Sequence, residues 1–398
     1  MNNLVLEAQA MENELIKWRR HLHQNAEIGM DVSATAAFVK DQLEEMGCVA
    51  NYIGVTGVTA VVGDEKKGKC FLLRADMDAL PIVEETDLEF KSRNGNMHAC
   101  GHDLHTVMLL GAAKLLRAYE NEIDGCVKLM FQPAEETLEG ANILVNEGIL
   151  EKPKVDAAAM FHVMLGTPMP TGFVVVPNGG VFSSACDWFE ILIEGKGGHG
   201  ASPEKTIDPL NVVAHIHIAL QSISSREVSS DDNAVVTIGV MEGGTVSNVI
   251  PDSAMLKGTV RTFNEETRKF IVGRIKEIAD NTAKTFRAKA ITNFTIECPS
   301  VNSDSKVAND VFNSLNDVFG PLVSDSDSIK MPRMSGSEDF AFISQKVPSV
   351  MMFISAGSVD EGYTYSLHNP STVFNEKVLC QGATAYAISA MGWLAKNK

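Results

Sequence analysis

The 398-residue chain is poor in positive charge: 34 Lys and Arg stand against 51 Asp and Glu, for a formal net charge of −17. Neutralising phosphates takes clustered cations, and the sequence has no such cluster, so nucleic acid is excluded as the partner. It also lacks long apolar runs. No stretch approaches the roughly 18 consecutive apolar residues of a membrane-crossing helix, and no membrane partner is expected. The opening segment, MNNLVLEAQAMENELIKWRRHLHQ, mixes acids and bases without the apolar core of a signal peptide, which points to a cytoplasmic protein. Cysteines are few for a disulfide framework: Cys48, Cys70, Cys100, Cys126, Cys186, Cys298 and Cys380 are odd in number and scattered. Several lie in apolar runs such as CFLLRADMD and GCVKLMF, as reduced, buried thiols do. Internal repeats and low-complexity tracts are absent. What remains is 45% hydrophobic and 21% charged, the balance of a globular enzyme, and the length suits two domains at roughly 100–200 residues each.

After helix-like stretches at 13–24 and 33–46, apolar strand candidates alternate with amphipathic segments, the signature of an α/β sheet with helices on its faces. The pattern predicts strands at 58–62, 70–75, 127–132, 157–162 and 350–355, and helices at 104–119, 141–147 and 377–394. Between 183 and 299 the rhythm changes. Strand 188–195, helix 209–224, strands 234–242 and 254–263, helix 265–288 and strand 291–298 follow in the order βαββαβ, that of a ferredoxin-like α+β unit. Turn-rich flanks mark it as an insertion into a first domain made of 1–182 and 300–398.

Potential ligands gather where strand candidates end. Leu72–Ala75 runs into Asp76 and Asp78, 127–131 into Glu135 and Glu136, and 157–161 into His162. Ligands bind at the carboxyl ends of strands in open α/β sheets, so three strands deliver acids or imidazole to one edge. The run His98-Ala99-Cys100-Gly101-His102-Asp103, just before a helix, reaches the same rim. Cys, His and Glu together suit zinc, manganese, cobalt or nickel, and five such residues could hold two ions if one ligand bridges. On local evidence alone, Cys100 could be a buried hydrophobe, the Glu135–Glu136 pair a solvated helix start, and Asp76 and Asp78 turn residues before Pro81. His98 and His105 read as supporting or structural residues.

The strings RADMDALP (74–81), HACGHD (98–103), FQPAEE (131–136), GGHGASP (197–203) and SLHNP (366–370) resemble those of the aminoacylase and carboxypeptidase family of metallopeptidases. Within it, they are similar to the subfamily of hippurate hydrolase and the indole-acetyl amino acid hydrolases. The resemblance spans nearly the whole chain. It implies two divalent ions bridged by Cys100, with His102 and His162 on one and Glu136 and His368 on the other. Glu135 is then the general base, and Asp78 an outer residue orienting a ligand imidazole. Where many members of the wider family carry a metal-binding His two residues before Asp78, this chain has Asp76. The resemblance also implies that the inserted unit is a lid and dimerisation domain. Its His199 would stabilise the oxyanion across a homodimer, and Asn248 and Arg261 would clamp the free carboxylate of a small N-acyl amino acid. The turn at 336–339 could add backbone donors. A dipeptidase or carboxypeptidase on the same scaffold, or a non-catalytic metal-binding relative, are the alternatives.

Overall fold

A computed structural model describes residues 2–398, which divide into two compact units. The first comprises Met1–Gly180, Asn302–Pro332 and Asp339–Lys398; the second comprises Val181–Val301 and Arg333–Glu338.

The first unit is built on an eight-stranded mixed sheet. Its strands lie side by side in the order Ala50–Ile53, Gly57–Gly63, Cys126–Gln132, Cys70–Asp76, Ala157–Met164, Ser349–Ser355, Val174–Val176 and Val323–Asp325. Strands three to six run parallel to one another, and every residue in them is buried. Burial on both faces is why these four read as continuous apolar runs rather than as alternation. Helices His102–Ala118 and Val378–Lys396 pack together over the sheet. Their approach is close at Gly382, where a Cβ would stand 1.9 Å from Met108 Sδ. Helix Val378–Lys396 is long and apolar enough to cross a membrane, but 83% of that apolar window is buried inside the fold.

Several elements of the first unit were not foreseen, among them edge strands Ala50–Ile53 and Val323–Asp325, the short strand Val174–Val176, and helix Ser305–Phe319. Strands of three or four residues are too short for alternation to show. The helix, by contrast, carries its signal: Val307, Ala308, Val311 and Leu315 recur on its buried face, and the Asp304 side chain caps the amides of Lys306 and Val307.

In the second unit a four-stranded antiparallel sheet runs Ala234–Gly243, Ser253–Thr262, Ala185–Glu194, Lys289–Cys298. Its first strand in sequence lies between the third and the fourth, the ferredoxin-like order. Helices Pro209–Ser222 and Glu265–Thr285 share one core with it, including Ile191, Ile193, Val213, Ile216, Ile271 and Ile275. Each helix starts at a side-chain cap, Asp208 before Pro209 and Asn264 before Glu265. One boundary needs correction. Segment Arg333–Glu338, read from sequence as part of the first domain, belongs here. The Met334 amide donates to Phe182 O at 2.8 Å, and the Ser184 hydroxyl donates to Ser335 O at 2.7 Å.

Candidate functional site

The loop that carries Cys100 enters helix His102–Ala118 through Gly101, whose φ is +89°. No other residue fits there. A Cβ would meet Val163 Cγ2 at 2.6 Å in a conformation that L side chains avoid, so Gly101 brings the loop hard against strand Ala157–Met164. Cys100 Sγ consequently lies 3.5 Å from His162 Nε2. The other ring nitrogen of His162, Nδ1, donates to Val163 O at 2.8 Å, which leaves Nε2 as a lone pair facing the thiol. Burial, with His105 beside it, holds the His162 imidazole neutral, down at about 3.

Glu136 completes a second group. Its Oε1 lies 3.5 Å from His368 Nε2 and 3.8 Å from His102 Nε2, and Glu135 Oε2 lies 3.8 Å from the same His102 nitrogen. The His368 amide donates to Ala99 O at 3.0 Å, tying its segment to the Cys100 loop. His368 and Ala134 both sit at positive φ, +62° and +56°, a backbone strain that clusters at functional sites. All five residues expected as ligands are therefore brought together. They form two triads of donor atoms within 4.8 Å of one another, Cys100–His102–His162 and Cys100–Glu136–His368, and Cys100 is common to both.

The donors fit a cation. Both ring nitrogens of His102 and Oε1 of Glu136 are buried and meet no hydrogen-bond partner among the described residues. Leaving such an atom unsatisfied costs about 1–3 kcal/mol, and three in one cluster are sensible only where something else satisfies them. Burial first, then the Glu136 carboxylate, push the Cys100 thiol well above its usual range, so a thiolate there needs a compensating positive charge. At His102 burial opposes the charged form, but Asp76 and Cys100 outweigh it and raise the imidazole.

One expectation needs adjustment. Asp78 does not hydrogen-bond an imidazole: its two oxygens accept the amides of Glu135 and Glu136 at 3.0 and 3.1 Å, and His102 Nδ1 stays 3.6 Å away. It fixes the turn that presents both glutamates. Asp76 Oδ1 lies 3.7 Å from the same His102 nitrogen and 2.6 Å from Nδ1 of His105, a histidine outside the expected ligand set, whose Nε2 accepts the Val163 amide at 2.8 Å. The Asp76 carboxyl is held well below its usual range: burial would raise it, but His102, His105 and Arg74 prevail. The residues that sequence reasoning missed surround this pair. Arg74 donates to Asp76 at 2.6 Å, to Gln132 at 2.8 Å and to Asp339 at 2.8 Å, all fully buried. Two spacings carried the signal, Arg74 and Asp76 on one face of a strand and His102 and His105 on one face of a helix. The Asp339 side chain also accepts from Gln132 and from the Ala141 amide.

The second unit holds the remaining candidates. Gly198–His199 pairs with Val249–Ile250, and the Gly200 amide donates to Asn248 O at 2.9 Å, so His199 and Asn248 are neighbours. His199 is exposed, and its Nδ1 accepts the Ala201 amide at 3.0 Å, which puts the ring proton on Nε2. Arg261 lies on strand Ser253–Thr262 opposite Cys186, with its Nη1 buried and unpartnered among the described residues.

Residues 72–391 match peptidase family M20/M25/M40. A hippurate hydrolase of Campylobacter jejuni subsp. jejuni is 37% identical, over 98% of this chain and 100% of its own. An IAA-amino acid hydrolase of Arabidopsis thaliana, ILR1-like 4, is 36% identical over 98% of this chain and 88% of its own. A crystal structure of a dinuclear metal-binding peptidase of the M20 family from Bacillus subtilis superposes with a TM-score of 0.79, at 31% identity, covering 97% of this chain and 99% of that one. A shared-cysteine donor cluster at the carboxyl edge of the sheet, with full-length likeness to curated hydrolases, makes this chain a member of peptidase family M20/M25/M40 and a metallo-hydrolase of amide bonds.

Proposed function

We propose that the enzyme hydrolyses N-acyl-L-amino acids of the hippurate, N-acetyl or indole-acetyl kind to a carboxylic acid and a free amino acid. The observation that carries this is the pair of donor triads sharing Cys100, with the Glu135 carboxylate beside them and not needed by either. Cys100, His102 and His162 would hold one divalent ion, and Cys100, Glu136 and His368 the other; zinc, manganese, cobalt and nickel all suit this mixture of thiolate, imidazole and carboxylate. Bound there, the ions supply Lewis acidity that polarises the amide carbonyl and makes water a nucleophile near neutral pH. Glu135 takes the proton of the attacking water. As the C–N bond breaks it returns that proton to the nitrogen, which cannot leave as an anion. Asp78 keeps this carboxylate in place through the backbone of its turn.

In the second unit, the Nε2–H of His199 is the donor for the oxyanion, acting across a homodimer formed through the inserted unit, and Asn248 and Arg261 receive the free carboxylate. A planar guanidinium gains two charge-assisted bonds to a carboxylate and almost none to an amide, which favours N-acyl amino acids over substrates lacking that group.

The test is a panel of N-acyl amino acids assayed after chelation and re-addition of single metals. Turnover that returns with a divalent ion and is restricted to free carboxylates is expected. Amidating the carboxylate should cost wild type about 10²-fold in kcat/KM, and an Arg261→Ala enzyme far less, because that interaction is already gone. Equal losses in the two would remove Arg261 from the carboxylate. A fully active monomer at micromolar concentration in sedimentation would remove His199 from its role across the dimer.

A further inference from the structure

The sheet of the second unit buries one face under its two helices and leaves the other open. On the open face Arg261 and Trp188 stand on adjacent strands, two residues apart in register, since Arg261 pairs with Cys186 and Thr259 with Trp188. A pocket of about 380 Å³ opens beside them, lined by Trp188, Val240, Thr259 and Arg261 among others and bounded farther along by Lys257 and Glu190. That volume lies at the small end of ligand pockets, about 300–1,000 Å³. We infer that this pocket is the subsite for the side chain of the substrate's amino acid, and that it selects aromatic and large aliphatic residues.

The inference rests on the reading of Arg261 as carboxylate anchor and goes beyond it. Arg261 offers a buried Nη1 with no partner among the described residues, at one end of the pocket. Lys257, four residues along the same strand, is about 13 Å away at strand rise. Its ammonium is already neutralised by Glu190 at 2.6 Å, so the far end offers no free charge to an acidic or basic side chain. Between the two lies Thr259, flanked by the Trp188 ring on one neighbouring strand and by Thr237 on the other, and Val240 stands opposite Lys257. A carboxylate seated on Arg261 therefore projects its side chain against the Trp188 ring and past uncharged threonines, with room for a phenylalanine or leucine side chain short of Lys257 and no unpaired charge on the way. Trp188 is 46% exposed on this face, whereas Trp18 and Trp393 are 9% and 5% exposed. An aromatic ring left to water at the mouth of a pocket gains from a flat apolar partner.

Two measurements test the subsite. The kcat/KM ratio of N-acetyl-L-phenylalanine to N-acetylglycine should exceed about tenfold in wild type, fall by about tenfold in Trp188→Ala, and recover in part in Trp188→Phe. Separately, in the metal-loaded Glu135→Gln protein, saturation with N-acetyl-L-phenylalanine should shift tryptophan emission to the blue. N-acetylglycine should shift it less, and Trp188→Phe in the same background should abolish the shift, because the chain's other two tryptophans are already buried. Hydrolysis of the whole panel with a ratio unchanged by Trp188→Ala, or a wild-type preference for glycine or aspartate, overturns the subsite and leaves the N-acyl amino acid reading intact. Failure to hydrolyse any N-acyl amino acid overturns both.

Discussion

Two groups of buried polar side chains in the first unit differ in how their hydrogen-bonding capacity is met. Around Arg74 the donors and acceptors are matched: the guanidinium reaches Gln132, Asp76 and Asp339, Asp339 also accepts Gln132 and the Ala141 amide, and Asp76 is shared with His105. Around Cys100 they are not. Among the described residues both His102 nitrogens and Glu136 Oε1 find no hydrogen-bond partner, although both residues belong to the same unit and His102 lies 3.7 Å from Asp76 of the matched group. Burial penalises unpaired polar atoms equally in the two places. The matched group can therefore act as rigid support, while the unmatched one is complete only with a cation in it. Asp76 touches both, at 2.6 Å from His105 and 3.7 Å from His102, and couples the support to the site.

The sharpest way to break the comparison is within the Glu135–Glu136 pair. Glu135→Gln should retain the metals and lower kcat by about 10²- to 10⁴-fold, the worth of general acid–base help. Glu136→Gln should lower metal content instead, read by elemental analysis of the purified protein. Identical behaviour of the two would void the division of labour between neighbouring residues.

Folding stability separates the two groups next. Asp339→Asn removes one of the two carboxylates that compensate the buried Arg74 and sets an amide N–H against the donors of Gln132 and Ala141. The metal-free protein should lose about 3–5 kcal/mol in denaturant unfolding. Glu136→Gln, whose Oε1 has no hydrogen bond to lose among the described residues, should change the same metal-free stability by less than about 1 kcal/mol. Comparable losses would mean that the unmatched group also supports the fold.

Much of this contrast was legible in the sequence, and the reason is geometric. The chemistry of the site sits at the ends of long, apolar, fully buried strands, and such strands announce both themselves and the residue at which they stop. Glu136 and His162 follow from that rule, Cys100 and His102 from the motif string ahead of helix His102–Ala118, and the ferredoxin-like unit from its change of rhythm. The support was hidden because a fully buried Arg74 in the middle of an apolar run looks like an interruption, and its partner Asp339 is 265 residues away. Asp78 was assigned an imidazole rather than two amides because backbone donors leave no mark on a sequence. Segment Arg333–Glu338 was misplaced for the same reason: it joins the second unit through main-chain hydrogen bonds that any residue type could make.

The smallest expected effect concerns the tie between the N-terminal helix Glu12–Gln24 and the metal loop. Asp103, next to His102, accepts Arg19 Nε at 2.8 Å and His23 Nδ1 at 2.8 Å, and the other nitrogen of His23 faces Glu84 at 3.2 Å. Burial would raise the Asp103 carboxyl, but Arg19 and His23 outweigh it and hold it far below its usual range. An unfolded aspartate titrates near about 3.9. Below that pH the unfolded chain binds a proton that folded Asp103 refuses, so this group's stabilisation is fully present above about pH 5 and is lost progressively as the pH falls through 4 toward the folded value. Asp103→Asn keeps the shape and removes the charge. At pH 7 it should cost the metal-free protein about 1.5–3 kcal/mol, the worth of hydrogen bonds to a charged group, and that difference from wild type should narrow between pH 5 and pH 3. Unfolding curves that fall in parallel over that range would mean that the Asp103 charge is not what ties the helix to the loop, and the support would then rest on Arg74 and its partners alone.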